Sequence, residues 1–206
     1  MPLTVQKIEE NSLWNLNIWS VTETLTDLYA LANLSENDQM LCDSIHLEKR
    51  KREWLVRKIL AQSVSEGLII QNLANGKPVL TDGRFISISH CDNLVALIIS
   101  NKMVGIDLQS PSGKLVRIAR KFCHNHELKM AENSQKKEEY FAIVWSVKEA
   151  IFKTFGEGVI FAEDILLDQF DAEDSVITAS YKGRHGSKKF QLGHFVHESC
   201  HVIYTL

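Results

Sequence analysis

The stretch Trp145-Ser146-Val147-Lys148-Glu149-Ala150-Ile151-Phe152-Lys153, together with Val104-Gly105-Ile106-Asp107 upstream of it, decides how this chain is read. The run from Lys136 to Phe155 lacks Gly and Pro, and Phe141, Val144, Trp145, Ile151, Phe152 and Phe155 recur at three- and four-residue spacings. That period predicts a long amphipathic helix. Glu149 and Lys153 then lie one turn apart, with Trp145 one turn before Glu149 on the same side. The apolar run Met103 to Leu108 reads as a short buried strand, in which Asp107 needs a cation or a donor to offset its burial. If Asp107 faces Glu149, a hard divalent ion such as Mg2+ relieves the repulsion of the two carboxylates. Spacing alone equally admits a solvated Glu-Lys helix pair and a strand-end Asp that caps a turn.

The chain has 206 residues, of which 45% are hydrophobic, enough to build one large domain or two small ones. Its formal charge of -3 offers no global field for nucleic acid. Met1 to Asn17 shows no apolar core flanked by basic residues, so no signal peptide is expected. The longest purely apolar run, Leu94 to Ile99, falls far short of the roughly twenty residues that span a bilayer. The expectation is a soluble, cytoplasmic protein with no membrane partner.

Cys42, Cys91, Cys123 and Cys200 are scattered and form no C-x-x-C pair, which argues against a disulfide framework or a thiolate zinc site. Cys91 and Cys123 are read as packing thiols. His124 and His126 read as surface residues, too far apart around a helix to form a metal pair. His194, His197 and His201 lie on C-terminal strands, where alternation is expected to send His194 to the face opposite His197 and His201.

In order, the pattern predicts a strand over Leu13 to Val21 and a helix over Thr22 to Asn33. A helix start capped by Ser35 follows, then a helix from Ser44 to Ser65 that ends at Gly67. Phe85 to Ser89 and Leu94 to Ser100 form a hairpin. Beyond Asp107, helices are expected over Lys114 to Cys123 and His126 to Glu132, and strands over Val159 to Phe170, Val176 to Lys182 and Lys188 to Tyr204. A shift of 91 residues lays Arg52–Gly67 over Ile143–Gly158, matching Trp54 with Trp145, Val56 with Val147, Glu66 with Glu157 and Gly67 with Gly158. It also places Leu16 over Asp107 and Lys58 over Glu149. The implied fold is α+β, with two similar halves, 1–102 and 103–206, related by a pseudo-twofold; each is a small antiparallel sheet packed with helices. Only the second half would then hold the metal carboxylates, while the first would lend basic groups from across the pseudo-twofold cleft.

Gly105-Ile106-Asp107, Phe122-Cys123, Glu127 and Trp145-Ser146-Val147-Lys148-Glu149 with Lys153 resemble the signature of the 4′-phosphopantetheinyl transferases. The likeness continues upstream in Lys49 to Arg57, Gly76-Lys77-Pro78 and Ser87-Ile88-Ser89-His90, and at this length it is to the two-halved, surfactin-synthetase type. The resemblance implies Mg2+-dependent transfer of 4′-phosphopantetheine from coenzyme A to a serine of an acyl or peptidyl carrier protein, releasing adenosine 3′,5′-bisphosphate. It implies Asp107 and Glu149 as metal ligands, and Lys153, with Lys148, on the diphosphate. Glu149, directly or through a metal-bound water, would accept the serine proton. Arg50, Arg52, Arg57, Lys77, Ser89 and His90 would hold coenzyme A, His90 at its 3′-phosphate. Glu127 matches a recurrent family Glu, with helix N-terminal stabilisation as its suggested role. The chain departs from the surfactin-type pattern at Gln109, where that pattern has Glu; an amide can still offer Mg2+ an oxygen but removes one negative charge. Two other readings remain: a module that binds coenzyme A or a carrier protein without transfer, and a metal-dependent phosphohydrolase. The doubled architecture points to a monomer.

Overall fold

The computed structural model describes residues 3–8, 14–65, 67–132 and 134–206. Leu13, the expected start of the first strand, and Glu66, one of the residues matched in the repeat, lie outside them. The chain separates into two units, Met1–Lys102 and Met103–Leu206.

In the first unit the strands β1 (Leu3–Ile8), β2 (Trp14–Ser20), β5 (Phe85–Cys91) and β6 (Leu94–Ser100) form an antiparallel sheet in the order β1-β2-β6-β5. The central strand β6 is buried throughout, as its continuous apolar run requires. Helices α1 (Leu25–Leu31), α2 (Glu36–Asp43) and α3 (Glu48–Val64) precede a small hairpin, β3 (Ile70–Asn72) and β4 (Pro78–Leu80). Thr24 closes a capping box on α1 and Ser35 caps α2 through the Asp38 amide. Trp54, Leu55, Ile59 and Leu60 of α3 pack with Val95, Leu97 and Ile99 of β6 in one core. β1 is an addition to the strands expected from the sequence. Half-buried and exposed residues alternate along this six-residue edge strand, LTVQKI, and none of them is fully buried.

The second unit is a five-stranded antiparallel sheet in the order β7-β11-β10-β9-β8, built from β7 (Ile106–Gln109), β8 (Ile165–Leu167), β9 (Val176–Gly183), β10 (Gly186–His197) and β11 (Cys200–Thr205). Helices α4 (Gly113–Ile118), α5 (Asn125–Glu132), α6 (Lys137–Phe155) and the short α7 (Phe161–Asp164) accompany it. Residues of α6 dominate its core, with Phe141, Ile143, Val144, Val147, Ala150 and Ile151 all buried. Gly156 ends α6 in the left-handed conformation at φ 92°, a backbone state that suits glycine.

Three expectations change here. The segment Val159 to Phe170 is not one strand: α7 interrupts it and only Ile165–Leu167 pairs, against β9. Lys188 to Tyr204 is two strands, because Glu198 and Ser199 take positive φ and turn the chain back. That hairpin register also overturns the placement of His194. Val196 pairs with His201, so His194, two residues from Val196, shares the face of His201. Their rings stack, with Nε2 of His194 at 3.0 Å from Nδ1 of His201. Among the described residues no helix is long and apolar enough to cross a membrane.

Candidate active site

Gly105 sets the site. A Cβ there would sit 1.9 Å from the Ala150 carbonyl oxygen, so only glycine lets this strand approach α6 so closely. Two residues on, the side chain of Asp107 meets the same helix. Asp107 is 5% exposed, and both its carboxylate oxygens have partners. Ser146 Oγ donates to Oδ2 at 2.9 Å, and Lys153 Nζ donates to Oδ1 at 2.8 Å and to the Ile106 carbonyl at 3.0 Å.

Ser146, Glu149 and Lys153 stand at i, i+3 and i+7 on α6 and therefore share a face. Glu149 is half-buried. Burial pushes its carboxyl above the usual range, the charge of Asp107 pushes it further, and Lys153 pulls back. The two carboxylates and the ammonium thus sense one another, as the arrangement of motifs led one to expect. The solvated Glu-Lys pair does not describe this geometry, because Lys153 reaches across to a buried aspartate on another element. Trp145 anchors the helix beside them, edge-on to Phe122 at 5.0 Å and to Phe161 at 5.6 Å. The available donors are oxygens, which is the hard set that Mg2+ prefers, and the two coupled carboxylates are its candidate holders.

Lys148 is a correction. Its neighbour on the helix points to the site, but Lys148 itself is fully buried and points elsewhere. Its ammonium pairs with Glu127 at 2.7 Å and donates to the carbonyls of Phe161 and Ile165 at 2.9 and 2.8 Å. Three acceptors saturate its three protons, so none is left for a diphosphate. Glu127 also accepts from the backbone amides of His124 and Leu167. It therefore does cap the start of α5, and in addition it ties α5, α6 and β8 together. Burial pushes the nearby Cys123 thiol up to about 12, which leaves it a packing residue.

Gln109 lies on the same side of β7 as Asp107, across from His201 of β11. Its Nε2 donates to the carbonyl of Ser110 at 2.9 Å.

In the first unit the structure divides the basic residues. Arg50 Nη1 donates to Glu53 at 2.9 Å and to Nε2 of His90 at 2.6 Å, which makes that ring nitrogen the acceptor. Arg52 pairs with Glu48 and lines a cavity of about 260 Å³ with Lys49 and Glu53. Arg57 lies over the Trp54 ring and faces a different, larger groove with Lys58, whose ammonium pairs with Asp38. Ser89 is buried, while His90, next along β5, is exposed on the other face. Lys77 occupies the β3–β4 turn, where its amide donates to Asn75.

Comparison with known proteins places this geometry. Residues 103–203 match the model of the 4′-phosphopantetheinyl transferase superfamily. Over those residues, just under half of its length, the chain is similar to this superfamily. It is 34% identical over 114 residues to 4′-phosphopantetheinyl transferase gsp of Aneurinibacillus migulanus, covering 52% of this chain and 47% of that protein. It is 25% identical over 175 residues to 4′-phosphopantetheinyl transferase HetI of Nostoc sp., covering 76% and 73%. With 4′-phosphopantetheinyl transferase Sfp of Bacillus subtilis it shares 28% over 88 residues, 41% and 39% of the two chains. The chain thus spans about half the length of the first of these relatives.

The contacts in and beside the site that the sequence left unassigned are Ser146, the Ile106 carbonyl and the Glu127–Lys148 pair. Ser146 was within reach, since it stands three residues before Glu149 on one helical face. The Ile106 carbonyl was not, because no side-chain pattern announces a backbone acceptor.

Proposed function

We propose that this protein transfers 4′-phosphopantetheine from coenzyme A to a serine hydroxyl of an acyl or peptidyl carrier protein, with release of adenosine 3′,5′-bisphosphate. The observation that carries the reading is the convergence of Asp107, Glu149 and Lys153 from separated motifs, with Lys153 Nζ at 2.8 Å from Asp107. Asp107 and Glu149 would hold Mg2+, which when bound supplies positive charge to the diphosphate and the leaving phosphate. Lys153, one turn from Glu149, donates to the same diphosphate. Glu149, directly or through a metal-bound water, is the proton acceptor for the serine hydroxyl. Ser146 keeps Asp107 in one orientation.

Within the first unit, Arg50 and His90 offer adjacent donors to a phosphate once the imidazole is protonated or its tautomer changes. Lys77, Arg52 and Ser89 are assigned to the nucleotide end as well, and Arg57, which faces another groove, is the weakest member of that set. The protein is proposed to act as a cytoplasmic monomer.

The test is to incubate the protein with coenzyme A, Mg2+ and a panel of apo carrier proteins, then weigh the carriers by intact mass spectrometry. The expected result is a phosphopantetheine-sized gain that requires both Mg2+ and the carrier serine. Coenzyme A bound with no gain on any carrier would favour the binding module that the neutral Gln109 allows. Release of phosphopantetheine without a carrier would favour the phosphohydrolase.

A further inference from the structure

Both oxygens of Asp107 are engaged by protein groups, Oδ2 by Ser146 and Oδ1 by Lys153. The ammonium is also held by the Ile106 carbonyl, so it has a defined seat in the site. Asp107 and Lys153 both act on Glu149, and Gln109, two residues from Asp107, contributes no charge. A divalent cation approaching Asp107 therefore meets a fixed positive charge, and the pattern offers no third carboxylate to outweigh it. A diphosphate changes that balance, because it gives Lys153 another anionic partner.

Building on the transferase reading of the site, we infer that Lys153 is a displaceable counter-ion of Asp107. In the free protein its ammonium stands in for the divalent ion on Oδ1, and the coenzyme A diphosphate draws it away. Metal and diphosphate consequently bind together, whereas metal alone binds weakly. Lys153 thus has two successive partners, first the carboxylate and then the diphosphate, and the exchange sets the order in which the site fills.

The experiment measures Mn2+ binding, by the loss of the free-ion paramagnetic signal, to the full chain with and without coenzyme A. Coenzyme A alone serves as the control. Wild type is expected to bind Mn2+ weakly by itself and at least tenfold more tightly with coenzyme A. Lys153→Met and Lys153→Gln are expected to bind Mn2+ without coenzyme A about tenfold more tightly than wild type, since a repelling charge is gone. Lys153→Arg, which keeps the charge, is expected to stay as weak as wild type. The Gln variant retains a neutral donor for the Ile106 carbonyl and guards against a folding defect in the Met variant, and thermal unfolding confirms that each is folded. Unchanged Mn2+ affinity in both neutral variants would overturn the counter-ion role while leaving the metal site intact. No Mn2+ bound by wild type with coenzyme A beyond the control would instead defeat the metal reading itself.

Discussion

Helix α3 of the first unit and helix α6 of the second follow strands with matching neighbours, yet they carry different polar residues. The shift of 91 residues lays one over the other, and it lays β2 over β7 as well. The strand neighbours agree: β2 lies beside β6 and β6 beside β5, as β7 lies beside β11 and β11 beside β10. The packing residues are kept, Trp54 with Trp145 and Val56 with Val147. The polar positions are not. Where the second unit has Asp107 the first has the fully buried Leu16, and where it has Glu149 the first has Lys58, paired with Asp38. Gln62 stands at the position of Lys153 and donates to the Asn33 carbonyl. At these matched positions the apolar residues Trp and Val recur, whereas the acidic pair occurs only in the second unit.

The largest expected effect comes from breaking that acidic site. Glu149→Gln should lower the turnover of carrier modification by about 10²- to 10⁴-fold, the range for loss of a general base, while far-ultraviolet circular dichroism stays unchanged. The matched change in the first unit, Lys58→Gln, should leave kcat within a few-fold. Near-normal turnover in Glu149→Gln would end the assignment of Glu149.

Next comes the contrast between Lys148 and Arg57, which occupy equivalent positions. Lys148→Met strands the Glu127 carboxylate in the interior and should destabilise the protein by about 3–5 kcal/mol in urea unfolding. Arg57→Met removes a cation stacked on Trp54 and should cost about 1 kcal/mol. The double variant Lys148→Met, Glu127→Gln should recover much of the first loss, because it no longer buries an unpaired charge.

A smaller effect concerns the sheets. At the position of His201 in β11, the first unit has Ala96 in β6, also fully buried. Burial, and then the adjacent His194, hold the His201 imidazole down at about 4, against 6.5 for an ordinary histidine. The unfolded chain therefore takes up the proton first, and stability declines as pH falls from 6.5 towards 4. His201→Ala should flatten that part of the stability–pH curve, removing on the order of 2 kcal/mol of its slope-derived loss. An unchanged acid limb would show that the histidine pair does not govern it.

The smallest effect is again at Glu149, now in stability without metal. Its pKa is raised in the fold, so the folded protein holds the proton more tightly than the unfolded chain. Stability then falls as pH rises from the ordinary glutamate value through the raised one, and the cost of the ionised group persists above it. Glu149→Gln should raise Tm slightly at neutral pH, and the gain should vanish on acidification. A loss of Tm at neutral pH would mean that ionised Glu149 stabilises the fold.

Much of this was legible in the chain itself. The apolar period of Lys136 to Phe155 specified α6, because a gap-free 3.6-residue pattern has few alternative ways to bury its surface. Ser35 announced its helix, and the alternation about Phe85 and Leu94 announced the β5–β6 hairpin. Glu149 and Lys153 fell on one face by spacing alone, and Gly105-Ile106-Asp107 marked the strand that meets them. Three things depended on the tertiary structure. Lys148 and Glu149 are adjacent in sequence, yet packing buried one against Glu127 and left the other in the site. His194 and His201 came together only once the turn at Glu198 and Ser199 had set the hairpin register. Lys153 took its seat on Asp107 only because Gly105 lets strand and helix come within reach. Local sequence determines periodicity and turn chemistry, whereas the partner of a buried charge is chosen by segments distant along the chain, when desolvation obliges every such charge to find one.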